Sequence, residues 1–216
     1  MKEFLFPKLH KEGYRFVGIA AIITFILLLI SNFLGLISLI ITFWVYYFFR
    51  DPDRFTINDE DYLVSPADGV ITQIVEMNGP KEFGLENKKF TRVSIFMNVF
   101  NCHVNRVPLS GSIKKIFYKE GKYINASLDK ASDENERNYV QLKSINGDDI
   151  ILVQIAGLIA RRIVCEANEE DAVKQGQRFG IIRFGSRVDL YFEKYKLLVK
   201  IKQKTIAGET LIGKKI

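Results

Sequence analysis

The sequence predicts a mainly β protein: an antiparallel sandwich or barrel-like body with one short helix, preceded by an N-terminal membrane helical hairpin. Three observations carry that reading. Every residue from Phe16 to Phe49, 34 in a row, is uncharged, and most are Ile, Leu, Phe or Val. From Asp51 onward the apolar period drops from that of a helix to two, the period of a strand. Gly, Asn and Asp turn signals then cut this second region into short runs. The chain has 216 residues, 48% of them hydrophobic, with 31 Lys plus Arg against 25 Asp plus Glu and a net charge of +6. That composition excludes a disordered chain, a collagen-like fibre and a disulfide-stapled miniprotein. Two regions follow: residues 1–50, a tail and membrane segment, and residues 51–216, a β-rich body.

A cleaved signal peptide has an apolar run of roughly 7–15 residues and a small-residue cleavage site. This run is longer, and no such site follows Phe49. As one straight helix it would be about 51 Å long, against a hydrocarbon core of about 30 Å. Ser31, Asn32 and Gly35 divide it into two arms, Phe16–Ile30 and Leu36–Phe49. The simplest reading is a helical hairpin that dips into the bilayer and returns, with one long tilted helix as the alternative. Lys8, Lys11 and Arg15 lie before the run and Arg50 and Arg54 after it. Under the positive-inside rule they put both ends, and so the body, on the cytoplasmic face of the cell membrane. Trp44, Tyr46 and Tyr47 near the exit have the character of interface anchors.

In the body, Val70–Val75, Arg92–Met97 and Arg187–Phe192 alternate as strands do, and Ile113–Tyr118, Tyr139–Leu142, Ile150–Ile155, Ile163–Glu166 and Leu197–Ile201 are further strands. Asn146-Gly147-Asp148 is a turn between two of them. One short helix is expected over Glu169–Lys174, with Asn168 as N-cap, Glu169 and Glu170 in its first turn and Gly176 near its end. The charged stretch Ser127–Asn138 reads as a loop.

The body retains 26 basic and 23 acidic side chains, a charge of +3. Without a basic and aromatic motif, that charge gives no support to nucleic-acid binding. Cys102 and Cys165 are far apart and set in apolar runs, which suits a reducing compartment and gives no metal-ligand spacing. Gly-rich phosphate loops, paired metal-ligand motifs and the Gly-x-Ser-x-Gly elbow are all missing from the sequence. His103 is the one histidine the body can use, since His10 lies in the tail. Cys102 beside it would face the other way on a strand, so a Cys-His pair is not expected. Ser65-Pro66-Ala67-Asp68-Gly69 is a turn leading into a strand, with Asp68 placed to close an Asx turn. Gly185-Ser186 is a step between two strand-like runs. Singly, each of these pieces reads as ordinary turn chemistry.

Their order is more specific than any one of them. A cytoplasm-facing anchor comes first, then Ser65–Gly69, then an apolar strand ending in His103-Val104-Asn105-Arg106-Val107-Pro108. Phe184-Gly185-Ser186 and finally Ala207-Gly208-Glu209-Thr210 complete the series. The arrangement resembles the phosphatidylserine decarboxylase proenzymes over nearly the whole chain, nearest to their short bacterial branch, with Phe184-Gly185-Ser186 carrying most of the specificity.

That resemblance implies a pyruvoyl enzyme that makes its own cofactor. Ser186 attacks the carbonyl of Gly185, the resulting ester is broken by elimination, and the dehydroalanine left behind hydrolyses to a pyruvoyl group with release of ammonia. Residues 1–185 and 186–216 become two chains. Glycine at 185 leaves the attack unobstructed and permits a tight turn. The pyruvoyl ketone takes the amine of phosphatidylserine as a Schiff base and draws off the electrons left by CO2, the part pyridoxal phosphate plays elsewhere. His103, matching the family's first active-site histidine, is the proton donor, and phosphatidylethanolamine is the product. Longer members carry a second histidine three residues later, paired with the Asp that corresponds to Asp68, to activate the serine. Here that position is Arg106, which cannot act as a base. Self-cleavage therefore falls either to His103 in both reactions or to turn strain with Asp68. Arg187 stands where many members have Thr.

Arg106, Arg161, Arg162 and Arg187 are placed as contacts for the head group's phosphate and carboxylate. Lys196, Lys200, Lys202 and Lys204 on one strand face would lie either on anionic lipid or in water. A homo-oligomer is compatible with the sequence. Two other readings stay open: a membrane-tethered lipoyl-like binding or adaptor module without activity, and a self-cleaving decarboxylase of a soluble amino acid.

Overall fold

A computed structural model of the chain describes residues 7–124, 134–157, 162–183 and 186–216. Two compact units are present, Met1–Asp53 and Arg54–Ile216.

The first unit is a helical hairpin of α1 (Gly13–Ile30) and α2 (Asn32–Phe48). The break is a single extended residue, Ser31 at φ −159° and ψ 127°. Asn32 and Gly35 therefore lie inside α2 rather than in the turn. Glycine at 35 has a packing reason: a Cβ there would lie 2.2 Å from Leu28 Cδ2 of the facing helix. Thr24 Oγ1 reaches Ser38 Oγ at 2.8 Å and Thr42 Oγ1 at 2.9 Å, hydroxyl bonds of the kind that join helices where lipid supplies no hydrophobic drive. At the base, the His10 amide donates to Phe49 O at 2.9 Å, the Asp51 amide to Lys8 O at 2.6 Å, and the Phe16 and Phe49 rings stack at 5.1 Å. Both ends of the hairpin thus return to one place, which excludes the long tilted helix. With 18 residues α1 is apolar and long enough to cross a membrane, about 27 Å against a core of about 30 Å. Leu29, Ile30 and Phe33 at the tip are exposed.

The strands of the second unit are β1 (Tyr62–Val64), β2 (Gly69–Asn78), β3 (Lys89–Met97), β4 (Val104–Arg106), β5 (Gly111–Lys119), β6 (Arg137–Ser144) and β7 (Asp149–Ala156). They continue as β8 (Arg162–Cys165), β9 (Ala172–Val173), β10 (Arg178–Arg183), β11 (Ser186–Phe192), β12 (Tyr195–Leu197), β13 (Lys204–Thr205) and β14 (Leu211–Lys215). The large sheet has the order β13-β2-β3-β11-β7-β6-β5-β9, and two three-stranded sheets have the orders β4-β10-β8 and β1-β14-β12. All of these pairings are antiparallel. Register shifts in β2 after Ile71 and in β5 after Ile113 help the large sheet curl. Its inner face carries the main core, including Ile95, Leu152, Val188 and Leu190 together with Phe179 and Ile182 of β10. The outer face carries a smaller cluster of Phe90, Tyr139, Ile151, Val153, Ile155 and Tyr191.

Three expectations are corrected. Glu169–Lys174 is not a helix: Glu170 turns at φ +66°, and Ala172 and Val173 pair with Ser112 and Gly111 on the edge of β5. Glu169 Oε1 meanwhile accepts the Ile116 amide at 2.8 Å. Ladder bonds to a waiting sheet edge outweigh a few capping signals whose isolated worth is small. The strand expected over Leu197–Ile201 ends at Leu197, and a turn with Lys202 at φ +72° follows. Lys196, Lys200, Lys202 and Lys204 therefore do not share one strand face. Of the expected loop Ser127–Asn138, residues 127–133 lie outside the described residues, and Arg137 and Asn138 already belong to β6.

Lys88 ties the ends of three strands together, with Nζ 2.9 Å from Asp149 Oδ2 and 2.6 Å from Glu193 Oε1. Lys143 Nζ reaches Asp149 Oδ1 at 3.2 Å. Burial alone would raise the Asp149 carboxyl, but the two lysines outweigh it and hold it below its ordinary range. Lys88 is raised: burial pulls it down, and Glu193 and Asp149 more than offset that. A carboxyl whose folded pKa lies below its unfolded value adds stability above the unfolded value and loses it as the pH falls through the folded one. Asp149→Asn should lower the melting temperature at pH 7 by about 2–4 °C, with the gap to the parent closing below about pH 4. Circular dichroism melts from pH 7 to 3 test this; a gap independent of pH contradicts it.

Candidate active site

Ser186 opens β11, the strand at the middle of the large sheet, and pairs with Met97 of β3 on one side and Ala156 of β7 on the other. Val188, Leu190 and Phe192 of the same strand face the main core, so Ser186, two residues before Val188, faces it too. Its side chain is fully buried, and Oγ has no hydrogen-bond partner among the described residues. A buried hydroxyl left in that state costs about 1–3 kcal/mol, which makes it a natural place to look for chemistry. Phe184 and Gly185, and with them the Gly185–Ser186 bond, lie outside the described residues.

Above Ser186 runs β4. Asn105 Oδ1 accepts a hydrogen bond from Gln154 Nε2 at 2.9 Å, and Asn105 Nδ2 approaches Met97 Sδ at 3.7 Å. Met97 flanks Ser186 and Gln154 flanks Val188, so the Asn105 amide spans β11 from one neighbouring strand to the other. Asn138 Nδ2 extends the chain of amides to Gln154 Oε1 at 3.0 Å. His103 precedes Asn105 by two residues, and its carbonyl accepts the Ile182 amide at 3.4 Å, one rung beyond the Val104–Ile181 pair. The ladder thus continues through His103 and gives it the face of Asn105, towards β11. Its ring is fully buried, with Nδ1 3.0 Å from Asn101 O. A carbonyl only accepts, so Nδ1 carries the hydrogen and Nε2 is the basic nitrogen of the neutral ring. Burial pushes the Cys165 thiol above its ordinary value, which keeps it protonated and poorly nucleophilic.

The Ser65–Gly69 turn sits at the same end of the sheet, with β3 between β2 and β11. Glycine at 69 is required by β3, because a Cβ there would lie 2.2 Å from Phe96 O. The carboxylate of Asp68 does not close a local turn. Its Oδ2 accepts from Arg54 Nη2 at 2.8 Å and its Oδ1 from the Ala207 amide at 2.8 Å. The C-terminal stretch clamps the turn further. The Ser65 amide donates to Thr210 O at 2.8 Å, the Gly208 amide to Ser65 O at 2.8 Å, and Thr205 Oγ1 to Ala67 O at 3.0 Å. From the other side, the Arg106 amide donates to Pro66 O at 2.9 Å. Ser65–Gly69, Ala207–Thr210 and the end of β4, three separate signals in the sequence, are therefore one bonded cluster.

The four arginines expected at the head group have different settings. Arg106 is buried, with Nη1 donating to Gly176 O at 2.8 Å. Arg187 points from the opposite face of β11 to Ser186. Its Nε and Nη2 bind the two oxygens of Asp189 at 2.6 and 2.7 Å, so its guanidinium is engaged inside the sheet rather than offered to an anion. Arg162 is exposed at the start of β8, and Arg161 lies outside the described residues. Sequence reasoning passed over Arg54, Asn105 and Gln154. Arg54 reads only as flanking charge, and an amide in a strand carries no signal until the strand facing it is known.

A family model described as phosphatidylserine decarboxylase matches residues 41–213. A phosphatidylserine decarboxylase proenzyme of Pelagibacter ubique is 62% identical over 215 residues, covering 100% of both chains. Proteins of the same description from Ruegeria pomeroyi and Rickettsia typhi are 50% and 51% identical, over 99% of this chain and 98% and 94% of theirs.

Asn105→Leu strands the Gln154 amide in the core and should cost about 1–3 kcal/mol. Adding Gln154→Leu should recover part of that loss, so the double variant costs less than the two single ones together. Chemical denaturation of the four proteins measures the cycle, and strict additivity would rule out the coupling.

Proposed function

The chain belongs to the phosphatidylserine decarboxylase family, and from that premise we propose that it converts phosphatidylserine to phosphatidylethanolamine and CO2 after cutting itself between Gly185 and Ser186. The observation that supports this best is Ser186 itself: a fully buried hydroxyl at the first residue of the central strand, with no hydrogen-bond partner among the described residues. A binding module without activity has no use for such a group.

In self-cleavage the Ser186 hydroxyl adds to the Gly185 carbonyl, and His103 Nε2, on the face of β4 above β11, takes its proton. Arg106 cannot serve as that base. Asp68 acts by position, since both its oxygens hold other groups, Arg54 and the Ala207 amide. Elimination of the ester and loss of ammonia turn residue 186 into a pyruvoyl group, leaving chains 1–185 and 186–216. The second chain stays in place because β11 is paired on both sides, β13 and β14 are paired, and Ala207–Thr210 is bonded to the Ser65–Asp68 turn. When formed, the pyruvoyl group supplies a carbonyl that takes the substrate amine and accepts the electrons released with CO2. His103 then returns a proton to the carbon that lost the carboxyl group. The burial of His103 and Ser186 keeps bulk water from competing for that position. The hairpin supplies membrane attachment, with Lys8, Lys11, Arg15 and Arg50 keeping both its ends cytoplasmic. A soluble amino acid would need no such anchor.

Intact-mass measurement of the purified protein should show a 186–216 fragment lighter by one ammonia than the peptide that begins with serine, and Ser186→Ala should remain one chain. A single uncut chain in membranes that release CO2 from phosphatidylserine would overturn the proposal. His103→Ala should lower decarboxylation by about 10²–10⁴-fold in whatever fraction is cleaved. Release of CO2 from free serine at the rate seen with phosphatidylserine would favour the soluble substrate.

A further inference from the structure

Between Tyr195 and Gly208 the chain holds four lysines, Lys196, Lys200, Lys202 and Lys204, and no acidic residue. Lys194, just before them, reaches Asp148 Oδ1 at 3.8 Å, whereas the four ammonium groups make no ion pair, hydrogen bond or ring contact with any described residue. Aliphatic side chains are interleaved with them. Leu198, Ile201 and Ile206 are exposed, Ile201 by 53%, while Val199 is buried in the main core and fixes the segment to the body. The tip is a tight turn: the Gln203 amide donates to Lys200 O at 3.1 Å, Gln203 Oε1 accepts the Lys200 amide at 3.1 Å, and Lys202 stands at φ +72°. A lysine in the left-handed region is unfavourable, and β2 maintains it there: the Lys202 amide donates to Ile71 O at 2.8 Å and the Ile71 amide to Gln203 O at 3.0 Å. Strain maintained in this way clusters at functional segments, and what this turn presents to solvent is Ile201 between two unpaired ammonium groups. Phe55, 95% exposed, adjoins it through Glu209: the Phe55 amide donates to Glu209 Oε1 at 3.0 Å and the Glu209 amide to Ile206 O at 3.1 Å.

Lys204 is the register partner of Val70, Val70 of Phe96, and Phe96 of Arg187, the residue after Ser186. Three strand spacings of about 4.8 Å put the segment about 14 Å from β11, at the end where that strand begins. Lysine on an edge strand guards against pairing with another sheet, which accounts for Lys204 but not for aliphatic side chains held at the surface by a strained turn. A second copy meeting the segment about a two-fold axis would set lysine against lysine. An anionic bilayer suits both features: aliphatic tips enter the boundary between head groups and acyl chains, and the lysines lay their apolar stems beside them and reach the phosphates.

We propose that residues 198–206 form an interfacial loop that docks the body on an anionic lipid surface, setting the end of the sheet where Ser186 opens β11 against the head groups from which the substrate comes. The inference rests on the proposed function for its premise of a membrane-borne substrate, and its test is read without turnover. The full chain, with Trp44→Phe removing its one natural tryptophan, would carry Ile201→Trp or, as a control, Ile145→Trp. Ile145 is also exposed but lies at the opposite end of β7 from the Ser186 pairing. Each protein would be reconstituted in vesicles of phosphatidylcholine brominated high in its acyl chains, alone or mixed equally with phosphatidylglycerol, and its fluorescence quenched from the water side by acrylamide. In the mixed vesicles the Ile201→Trp protein should be quenched by the brominated lipid and shielded from acrylamide, and the Ile145→Trp protein should show the reverse. Adding Lys200→Gln/Lys202→Gln should lower the ratio of docked to undocked loop about tenfold or more, since each lysine near an anionic surface is worth about fivefold. Lys81→Gln/Lys89→Gln, an equal loss of charge at the opposite end of β2 and β3, should leave that ratio unchanged. Acrylamide quenching at position 201 as strong as at 145 overturns the docking surface. Lipid quenching equally strong without phosphatidylglycerol overturns the part given to the lysines. Protection from both quenchers means that protein covers the loop, and overturns the lipid as its partner. Lipid quenching at 201 in a protein that stays one chain and releases no CO2 from phosphatidylserine would leave this surface standing and remove the proposed reaction.

Discussion

The register of β11 is the constraint on which the rest of the second unit depends. The strand is paired along its length with β3 and for most of it with β7, and its alternate residues serve two different environments. Val188, Leu190 and Phe192 fill the core between sheets, while Arg187, Asp189 and Tyr191 belong to the outer face. A slip of one residue would carry Arg187 and Asp189 into the apolar core and Leu190 out of it, breaking up a buried, hydrogen-bonded ion pair, which makes that prohibitive. Ser186 is fixed on the inner face by the same arithmetic. Its position follows from hydrophobic patterning further along the strand, not from any contact of its own.

A second dependence runs from the C-terminal stretch to the Ser65–Gly69 turn. The turn's backbone is held by Gly208 and Thr210, and Asp68 by Arg54 and Ala207. With the proposed division after residue 185, these contacts do more than brace a loop. They tie the 31 C-terminal residues, 186–216, to a turn near the start of the body by hydrogen bonds that no backbone continuity requires. The Asn105–Gln154–Asn138 amides do related work in the core, where each buried amide satisfies the next. That polar seam lies over β11, on the face of the strand that carries Ser186.

The hairpin follows a simpler logic. Its inner contacts are a glycine at the close approach to Leu28 and three hydroxyls bonded across the helices. An extended residue at Ser31 is enough to reverse the chain, because its own amide donates back to Leu27 O and its carbonyl accepts the Gly35 amide of the next helix.

The sequence by itself determined a good deal. The uncharged run, broken by Ser31, Asn32 and Gly35, pointed to the hairpin, and alternation located β2, β3, β5, β6, β7 and β11, because burying one face of a strand writes a period of two into it. The order of Asp68, His103, Ser186 and Ala207–Thr210 pointed to the family. Only the tertiary structure decided how these pieces meet. Glu169–Lys174 carried helix signals and became an edge pairing, because the free side of β5 offered bonds worth more than local caps. Arg187 looked like an anion contact until Asp189 was found beside it. Arg54, Asn105 and Gln154 were silent in the sequence for a common physical reason: a polar residue is given its meaning by the group it faces, and strand pairing brings that group from a part of the chain that no local pattern can name.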